Sequence, residues 1–197
     1  MAITISTTEL ARQLGNPALA VIDVRPMAAY NGWQLQGEAR GGHMHGAVAF
    51  PLSWTDGIEA ADLKMLLQSK GITQDRSVVV YGYTCYESAD FVTRLSDLGY
   101  EEVLAYEASL AEWAADLNLP MSRLANYEKL VHPEWLHRLI DGQRAETYPG
   151  KGFAIFHVNS GVPEEYVRGH IPGAMDLDTN TLVSTSTWNR LCDEDLE

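Results

Sequence analysis

The sequence has few cysteines, few basic residues and no long apolar run, and each shortage excludes a class of function. Its two cysteines, Cys85 and Cys192, are too few for a disulfide framework or a cysteine-based zinc site. Only 14 lysines and arginines stand against 27 acidic residues, and the net charge of −13 argues against nucleic acids and anionic membranes as partners. A membrane span would need a run of about 18 apolar residues, which the sequence lacks.

The first residues also lack the charged segment and apolar stretch that mark a signal peptide. A mature exported protein would look the same, so we expect a soluble protein that is either cytoplasmic or exported with its signal peptide removed. Hydrophobic residues make up 46% of the 197 residues, which is enough for a sizeable core. The two cysteines do not decide between the compartments.

The most informative stretch runs from residue 77 to residue 98. Three consecutive valines, residues 78–80, predict a buried strand. From Ser88 onward apolar residues recur at helical spacing until Gly99 ends the helix. A loop that enters a helix N-terminus favours anions and thiolates. Here that loop is the 82–87 segment, which consists of Gly82, Tyr83, Thr84, Cys85, Tyr86 and Glu87.

This stretch resembles the active-site region of a rhodanese domain, from the thiosulfate and 3-mercaptopyruvate sulfurtransferase family. In active members a nucleophilic Cys begins the loop, and an Arg ends it just before Ser-Ala. When the loops are aligned on Ser88 and Ala89, Gly82 stands at the cysteine position and Glu87 at the arginine position. The resemblance therefore implies a loop with the family's shape but without its sulfur carrier and its anion-binding cation.

Three interpretations of the 82–87 segment differ in their chemistry. Cys85 could act as a displaced nucleophile, but Glu87 adds like charge and no arginine lies in the loop. A phosphatase-like site lacks the required Cys and Arg pair. The favoured interpretation is an inactive loop in a structural or regulatory domain, so no catalytic residue is assigned beyond Cys85 as the weaker alternative.

Alternating strand and helix patterns predict an α/β fold for residues 1–123, as a three-layer rhodanese-like domain with a mainly parallel central sheet. Asp23 and Arg25 lie at the end of a buried strand, and His43 lies in a turn that resembles the family's Gly-His-Ile-Pro-Gly-Ala turn. The resemblance implies structural roles for all three. His43 and His45 also form a His-x-His pair, but no third ligand can be named, so no metal is predicted.

Residues 169–174 repeat this turn and place His170, a further structural residue, at the histidine position. The two turns lie about one rhodanese domain apart, which indicates a tandem of the multidomain type. Residues 124–197 would then form an incomplete second copy, with a buried strand over 153–158 followed by Asn159 where an aspartate is usual. Residues 193–197 read as the start of a further helix, so we expect a longer protein.

Two classes of function follow. The chain could be part of a thiosulfate sulfurtransferase-like enzyme whose first domain is non-catalytic and whose active Cys lies outside the chain. The chain alone is then predicted to be inactive and to need no cofactor, while the full-length protein would bind a small anionic sulfur donor or a thiol acceptor. The alternative is a non-enzymatic binding or regulatory module with a protein partner. A Cys-x-x-x-x-Arg loop beyond Glu197 would favour the enzyme.

Overall fold

The computed structural model of the chain describes residues 3–106, 108–145, 148 and 150–184. The strands are β1 (Ile3–Ile5), β2 (Leu19–Asp23), β3 (His43–Met44), β4 (Val48–Ala49), β5 (Ser77–Tyr81), β6 (Val103–Tyr106), β7 (Met121–Ser122), β8 (Phe156–Asn159) and β9 (Met175–Asp178). The helices are α1 (Thr7–Gln13), α2 (Met27–Asn31), α3 (Ala60–Ser69), α4 (Cys85–Asp97), α5 (Leu110–Ala115), α6 (Pro133–Ile140) and α7 (Glu164–Arg168).

The chain forms two compact units, one that runs to Val131 and one that begins at His132. The predicted domain boundary after residue 123 stays a prediction. Within the described residues, no helix is both long and apolar enough to cross a membrane.

The main sheet of the first unit has five strands in the order β1-β6-β5-β2-β4. All its strand pairs are parallel, and β5 lies at the centre between β2 and β6. The three valines of β5 are completely buried, as their β-branched run predicts. This confirms the α/β fold with a mainly parallel central sheet. A short antiparallel pair, β3 with β7, was not predicted.

Helices cover both faces of this sheet because alternate residues of each strand point in opposite directions. One apolar cluster joins β2 and β5 to residues of α3 and α4, and it includes Ala20, Ile22, Val78, Val80, Leu63, Leu67, Phe91 and Leu95. A second cluster joins the other side of the same strands to α1 and α5, and it includes Val21, Val79, Tyr81, Leu10, Leu110 and Trp113. These two layers hold β5, and the 82–87 segment that follows it, at a fixed position.

The second unit contains α6, α7 and a parallel pair of strands, β8 with β9. The predicted strand over 153–158 is found as Phe156–Asn159, and the prediction that it is buried is wrong for this chain. Phe156 is 49% exposed and Val158 is 58% exposed, because β8 belongs to a sheet of only two strands in the described residues. The predicted helix start at 193–197 and Cys192 lie outside the described residues.

Candidate functional site

The 82–87 segment follows the carboxyl end of β5, but α4 begins at Cys85 and not at the predicted Ser88. Thr84 caps the helix, since its Oγ1 accepts the Glu87 N–H at 3.4 Å while the Glu87 carboxylate accepts the Thr84 N–H at 3.0 Å. Thr-x-x-Glu is the pattern of a capping box. Thr84 and Glu87 have this spacing in the sequence, so the cap could have been predicted from it, independently of the position of Glu87 at the family's arginine.

The carboxylate of Glu87 folds back over the start of the segment. Its Oε2 accepts a hydrogen bond from the Tyr83 N–H at 2.6 Å as well as the one from Thr84. Backbone N–H groups at the start of a helix are the groups that bind external anions. In this chain an internal carboxylate already occupies two of them.

Gly82 provides the space for this arrangement. A Cβ atom built on Gly82 would lie 2.6 Å from Glu87 Oε2 and 3.2 Å from a methyl carbon of Val24. A cysteine at position 82 would therefore displace the Glu87 carboxylate from the Tyr83 and Thr84 N–H groups. Gly82 and Glu87 are sterically matched to each other.

Cys85 is exposed and is the first residue of α4. The hydrogen bonds of the described residues include none to its thiol, although its backbone carbonyl accepts the Ser88 hydroxyl at 3.0 Å. Arg94 pairs with Asp90 at 3.1 Å along the helix and does not pair with the segment. Among the described residues, therefore, no hydrogen bond or ion pair joins the Cys85 thiol to a base or cation of the kind that activates a cysteine nucleophile.

A fully buried ion pair lies beside the segment, between Asp23 and Arg25. The guanidinium of Arg25 donates to both carboxylate oxygens, from Nε at 2.9 Å and from Nη2 at 2.6 Å, and Nη2 also donates to the Gly42 carbonyl at 2.7 Å. The Tyr81 hydroxyl donates to Asp23 Oδ2 at 2.8 Å and accepts the Met44 N–H at 3.1 Å. These bonds join the ends of β2 and β5 to the turn that contains His43.

Glu38 and Tyr83, the second residue of the 82–87 segment, both lie near Arg25 and so connect this network to the segment. Glu38 Oε1 lies 3.5 Å from Arg25 Nη1, and the Tyr83 ring lies 5.2 Å from the guanidinium carbon. Burial acts to lower the pKa of Arg25, but the Asp23 carboxylate outweighs it and leaves that pKa raised. Burial raises the pKa of Tyr81, and burial together with the charge of Glu38 raises the pKa of Tyr83. Both tyrosines therefore stay neutral near pH 7.

The turn at His43 is held by an aromatic contact. His43 Nδ1 donates to the Tyr30 carbonyl at 2.8 Å, and the imidazole stacks on the Tyr30 ring at 3.7 Å between ring centres. The Tyr30 hydroxyl donates to the Ala47 carbonyl at 2.8 Å across the turn. Gly46 completes the turn with φ of +80°, a backbone angle that glycine adopts without strain.

The turn at His170 has the same contacts. His170 Nδ1 donates to the Tyr166 carbonyl at 2.9 Å, the two rings stack at 3.9 Å, and the Tyr166 hydroxyl donates to the Ala174 carbonyl at 3.0 Å. Gly173 has φ of +81°. The structure thus forms one local arrangement twice, once in each unit. His170 itself is exposed, whereas His43 is buried.

His43 and His45 point to different partners, since His45 Nδ1 bonds to Ser122 Oγ at 2.8 Å. The described residues contain no group of three or more His, Cys, Asp or Glu side chains arranged to hold a metal ion.

We expect that His43→Ala lowers the free energy of unfolding by about 1–3 kcal/mol, because it removes the buried imidazole and leaves the Tyr30 carbonyl without its donor in a partly buried hydrogen bond. His45→Ala is the matched control and should change stability little, since His45 is exposed. Urea denaturation at pH 7.5 measures both variants. Tight, stoichiometric metal binding that disappears with His43→Ala would contradict this interpretation.

The pH dependence of stability gives a second measurement on His43. Burial lowers the pKa of folded His43, although its bond to Tyr30 acts in the other direction. The unfolded chain then binds more protons as the pH falls through about 6.5, so the native protein loses stability below that value. The His43→Ala variant should not show the share of this stability loss that comes from protonation of His43.

Comparison with known proteins places these features in one family. Residues 6–116 match the rhodanese-like domain family. The chain is 30% identical to a thiosulfate sulfurtransferase of Escherichia coli strain K12, over all of this chain and 43% of that protein. It is 32% identical to a thiosulfate sulfurtransferase of Pseudomonas aeruginosa, over 57% of this chain and 43% of the relative.

A solved structure with a similar fold is the anaerobic ergothioneine biosynthesis enzyme from Chlorobium limicola, in complex with its natural substrate trimethyl histidine. It superimposes with a TM-score of 0.85 and 37% sequence identity, over 100% of this chain and 45% of that one. The chain therefore spans less than half the length of these relatives.

Proposed function

The chain belongs to the rhodanese family, and from this premise we propose that it is a non-catalytic part of a sulfurtransferase whose active cysteine lies outside the chain. The observation that carries the proposal is the Glu87 carboxylate, which occupies the N–H groups of Tyr83 and Thr84. Gly82, at the position of the nucleophile, has no side chain with which to carry sulfur.

The family's chemistry requires a thiolate and a cation in this loop. A cysteine thiolate attacks the outer sulfur of thiosulfate, the sulfur–sulfur bond breaks, and sulfite leaves with the bonding electrons while the enzyme keeps a persulfide. Loop N–H groups and the cation stabilise the anionic sulfur and the departing sulfite. The 82–87 segment offers a glycine, an occupied set of N–H groups and a negative charge, so it opposes each part of this step.

The relatives indicate the substrates to test in the whole protein. The Escherichia coli relative is named a thiosulfate sulfurtransferase, and the Chlorobium limicola enzyme binds trimethyl histidine. We accordingly propose a small anionic sulfur donor such as thiosulfate for the parent protein, with a thiol, cyanide or an N-methylated histidine as the acceptor.

We expect the chain alone to form no persulfide and to transfer no sulfur. The test incubates it with thiosulfate, adds cyanide and measures thiocyanate, while mass spectrometry looks for an increase of about 32 Da, the mass of one sulfur atom. A Cys85→Ser variant is the matched control, because Cys85 is the exposed thiol of the described residues. A stable persulfide on Cys85 that passes its sulfur to cyanide would overturn the proposal in favour of a displaced nucleophile.

A further inference from the structure

A cavity of about 340 Å³ lies in the first unit, between the loop that precedes β3 and strand β7. It is lined by residues of that loop, of β7 and of the turn that follows, which include Arg40, Gly41, Met121, Ser122, Arg123 and Tyr127. Small-molecule pockets in proteins have volumes of roughly 300–1,000 Å³, so this cavity can hold a small organic ligand. The 82–87 segment contributes none of its described lining residues, so a ligand here would not occupy that segment.

Three glycines let the backbone segments around this cavity approach closely. A Cβ atom on Gly41 would overlap the Gly32 carbonyl oxygen, and one on Gly42 would overlap the Ser122 carbonyl oxygen. A Cβ atom on Gly32 would lie 2.7 Å from the Tyr127 ring. The walls are therefore packed against each other, which fixes the shape of the cavity before any ligand binds.

The charge that lines the cavity is positive. Its two charged lining residues in the described chain are Arg40 and Arg123, whereas the whole chain has a net charge of −13. Arg40 is fixed in place, because its guanidinium donates to four carbonyls from residues 113–119. Arg123 Nη2 lies 3.3 Å from Glu128 Oε1, but both side chains are 55% exposed, and exposed pairs of this kind are weak. The cavity therefore favours an anionic ligand that replaces Glu128 as the partner of Arg123.

Arg123 is held in an orientation that suits a carboxylate. Its guanidinium carbon lies 5.0 Å from the centre of the Tyr127 ring, and its Nη1 lies 3.5 Å from the Tyr127 hydroxyl. A guanidinium binds a carboxylate through two parallel N–H bonds. Met121 and Tyr127, both half-buried, give the same cavity an apolar wall. An organic anion with an apolar body therefore fits this site better than a small inorganic anion.

We propose that this cavity binds a small organic carboxylate. Arg123 pairs with the carboxylate group, while Met121 and Tyr127 contact the apolar part of the molecule. The inference does not depend on the proposed function, because it uses neither the 82–87 segment nor sulfur transfer. It gives the chain a ligand site of its own, whether or not an active cysteine lies elsewhere.

Benzoate is the probe for this site, because it combines a carboxylate with a planar apolar body. A titration of the whole chain, followed through the amide NMR signals of Gly41 and Ser122, measures both the affinity and the position of binding. We expect saturable shifts of these signals with a Kd below about 1 mM, which is reasonable for a ligand of about nine non-hydrogen atoms. Benzamide has nearly the same shape but no charge, so it should bind at least about tenfold more weakly.

Substitutions of Arg123 separate its charge from its geometry. Arg123→Gln should weaken benzoate binding at least about tenfold, and the affinity of Arg123→Lys should lie between, because lysine keeps the charge but not the paired N–H groups. Arg94→Gln is the matched control, since Arg94 is another exposed arginine that pairs with an acidic residue, and it should leave the affinity unchanged. Circular dichroism checks the fold of each variant.

Four results would overturn the proposal. They are an affinity for benzoate that does not change in Arg123→Gln, binding of benzamide as tight as that of benzoate, and shifts of the Gly41 and Ser122 signals that do not saturate below about 10 mM benzoate. The fourth is inorganic sulfate that binds as tightly as benzoate, because the apolar wall would then have no part in selecting the ligand. Loss of binding in Arg123→Gln would leave sulfur transfer untouched, so this inference and the proposed function can fail separately.

Discussion

Gly82→Cys combined with Glu87→Arg should let the first unit take sulfur from thiosulfate, whereas Gly82→Cys alone should remain close to background. Both native cysteines, Cys85 and Cys192, are first replaced by serine so that only the designed thiol can react. We expect persulfide formation in the double variant to be at least about tenfold faster than in the single variant, because the two differ in the sign of the charge beside the thiolate.

The structure gives the reason for this difference. The Cβ of a cysteine at position 82 would lie 2.6 Å from Glu87 Oε2, so the single substitution forces the carboxylate away from the Tyr83 and Thr84 N–H groups. The displaced charge still opposes thiolate formation and repels thiosulfate. Arginine at position 87 removes the carboxylate, frees the two N–H groups and supplies a cation for the departing sulfite.

Gly82→Cys with Glu87→Ala is the control that separates the freed N–H groups from the added cation, because alanine removes the carboxylate and supplies no positive charge. If freeing the Tyr83 and Thr84 N–H groups is sufficient for persulfide formation, the rate in this variant will match that of the arginine variant. If the cation is also needed, the rate will lie between those of the single and double variants. Circular dichroism should confirm that α4 survives the loss of its capping box. Equal rates for the single and double variants would show that Glu87 does not control this segment.

Arg25→Met should destabilise the protein by roughly 3–5 kcal/mol, the usual cost of breaking a buried ion pair. Asp23 is completely buried and would lose the two bonds that the guanidinium donates to its carboxylate. The Gly42 carbonyl would also lose its donor, so the turn before His43 would loosen. Urea denaturation monitored by tryptophan fluorescence measures the loss.

Arg94→Met is the matched control, since Arg94 forms an exposed ion pair with Asp90 on the surface of α4. Exposed pairs of this kind contribute less than about 1 kcal/mol. Replacing both partners, as Asp23→Leu with Arg25→Met, should recover part of the stability, because the Asp23 carboxylate is then no longer buried without its partner. The recovery stays partial because buried Glu38 still loses its ion pair with Arg25. A loss in Arg25→Met no larger than that in Arg94→Met would show that the ion pair does not stabilise the fold.

Much of the fold follows from local sequence patterns. The three valines of β5, the stop at Gly99 and the alternation of strands with helices were sufficient to predict the parallel sheet and its helical layers. The departures at Gly82 and Glu87, and the two Gly-His turns, are equally visible in the sequence. Such features can be predicted because strand periodicity, helix ends and tight turns depend on residues that are close together in the chain.

The roles of several residues were settled only by tertiary structure. Glu38, Arg40 and Tyr81 carry no sequence signal, yet Arg40 donates to four carbonyls from residues 113–119, and Tyr81 joins Asp23 to Met44. Their partners lie far away in the chain, so only the packed fold brings them into reach.

The sequence by itself determined the family fold, the missing cysteine and arginine, and the repeated histidine turn. Tertiary structure decided that the Glu87 carboxylate occupies the N–H groups of Tyr83 and Thr84. It also decided that, in the described part of the chain, Phe156 and Val158 of β8 are exposed although the sequence of this strand is typical of a buried one. The physical reason for this division is that the type of a residue reveals its charge, its size and its local backbone preference, but not its surroundings in the fold. Whether a carboxylate points outward or folds back, and whether an apolar strand is covered, depends on which groups surround it.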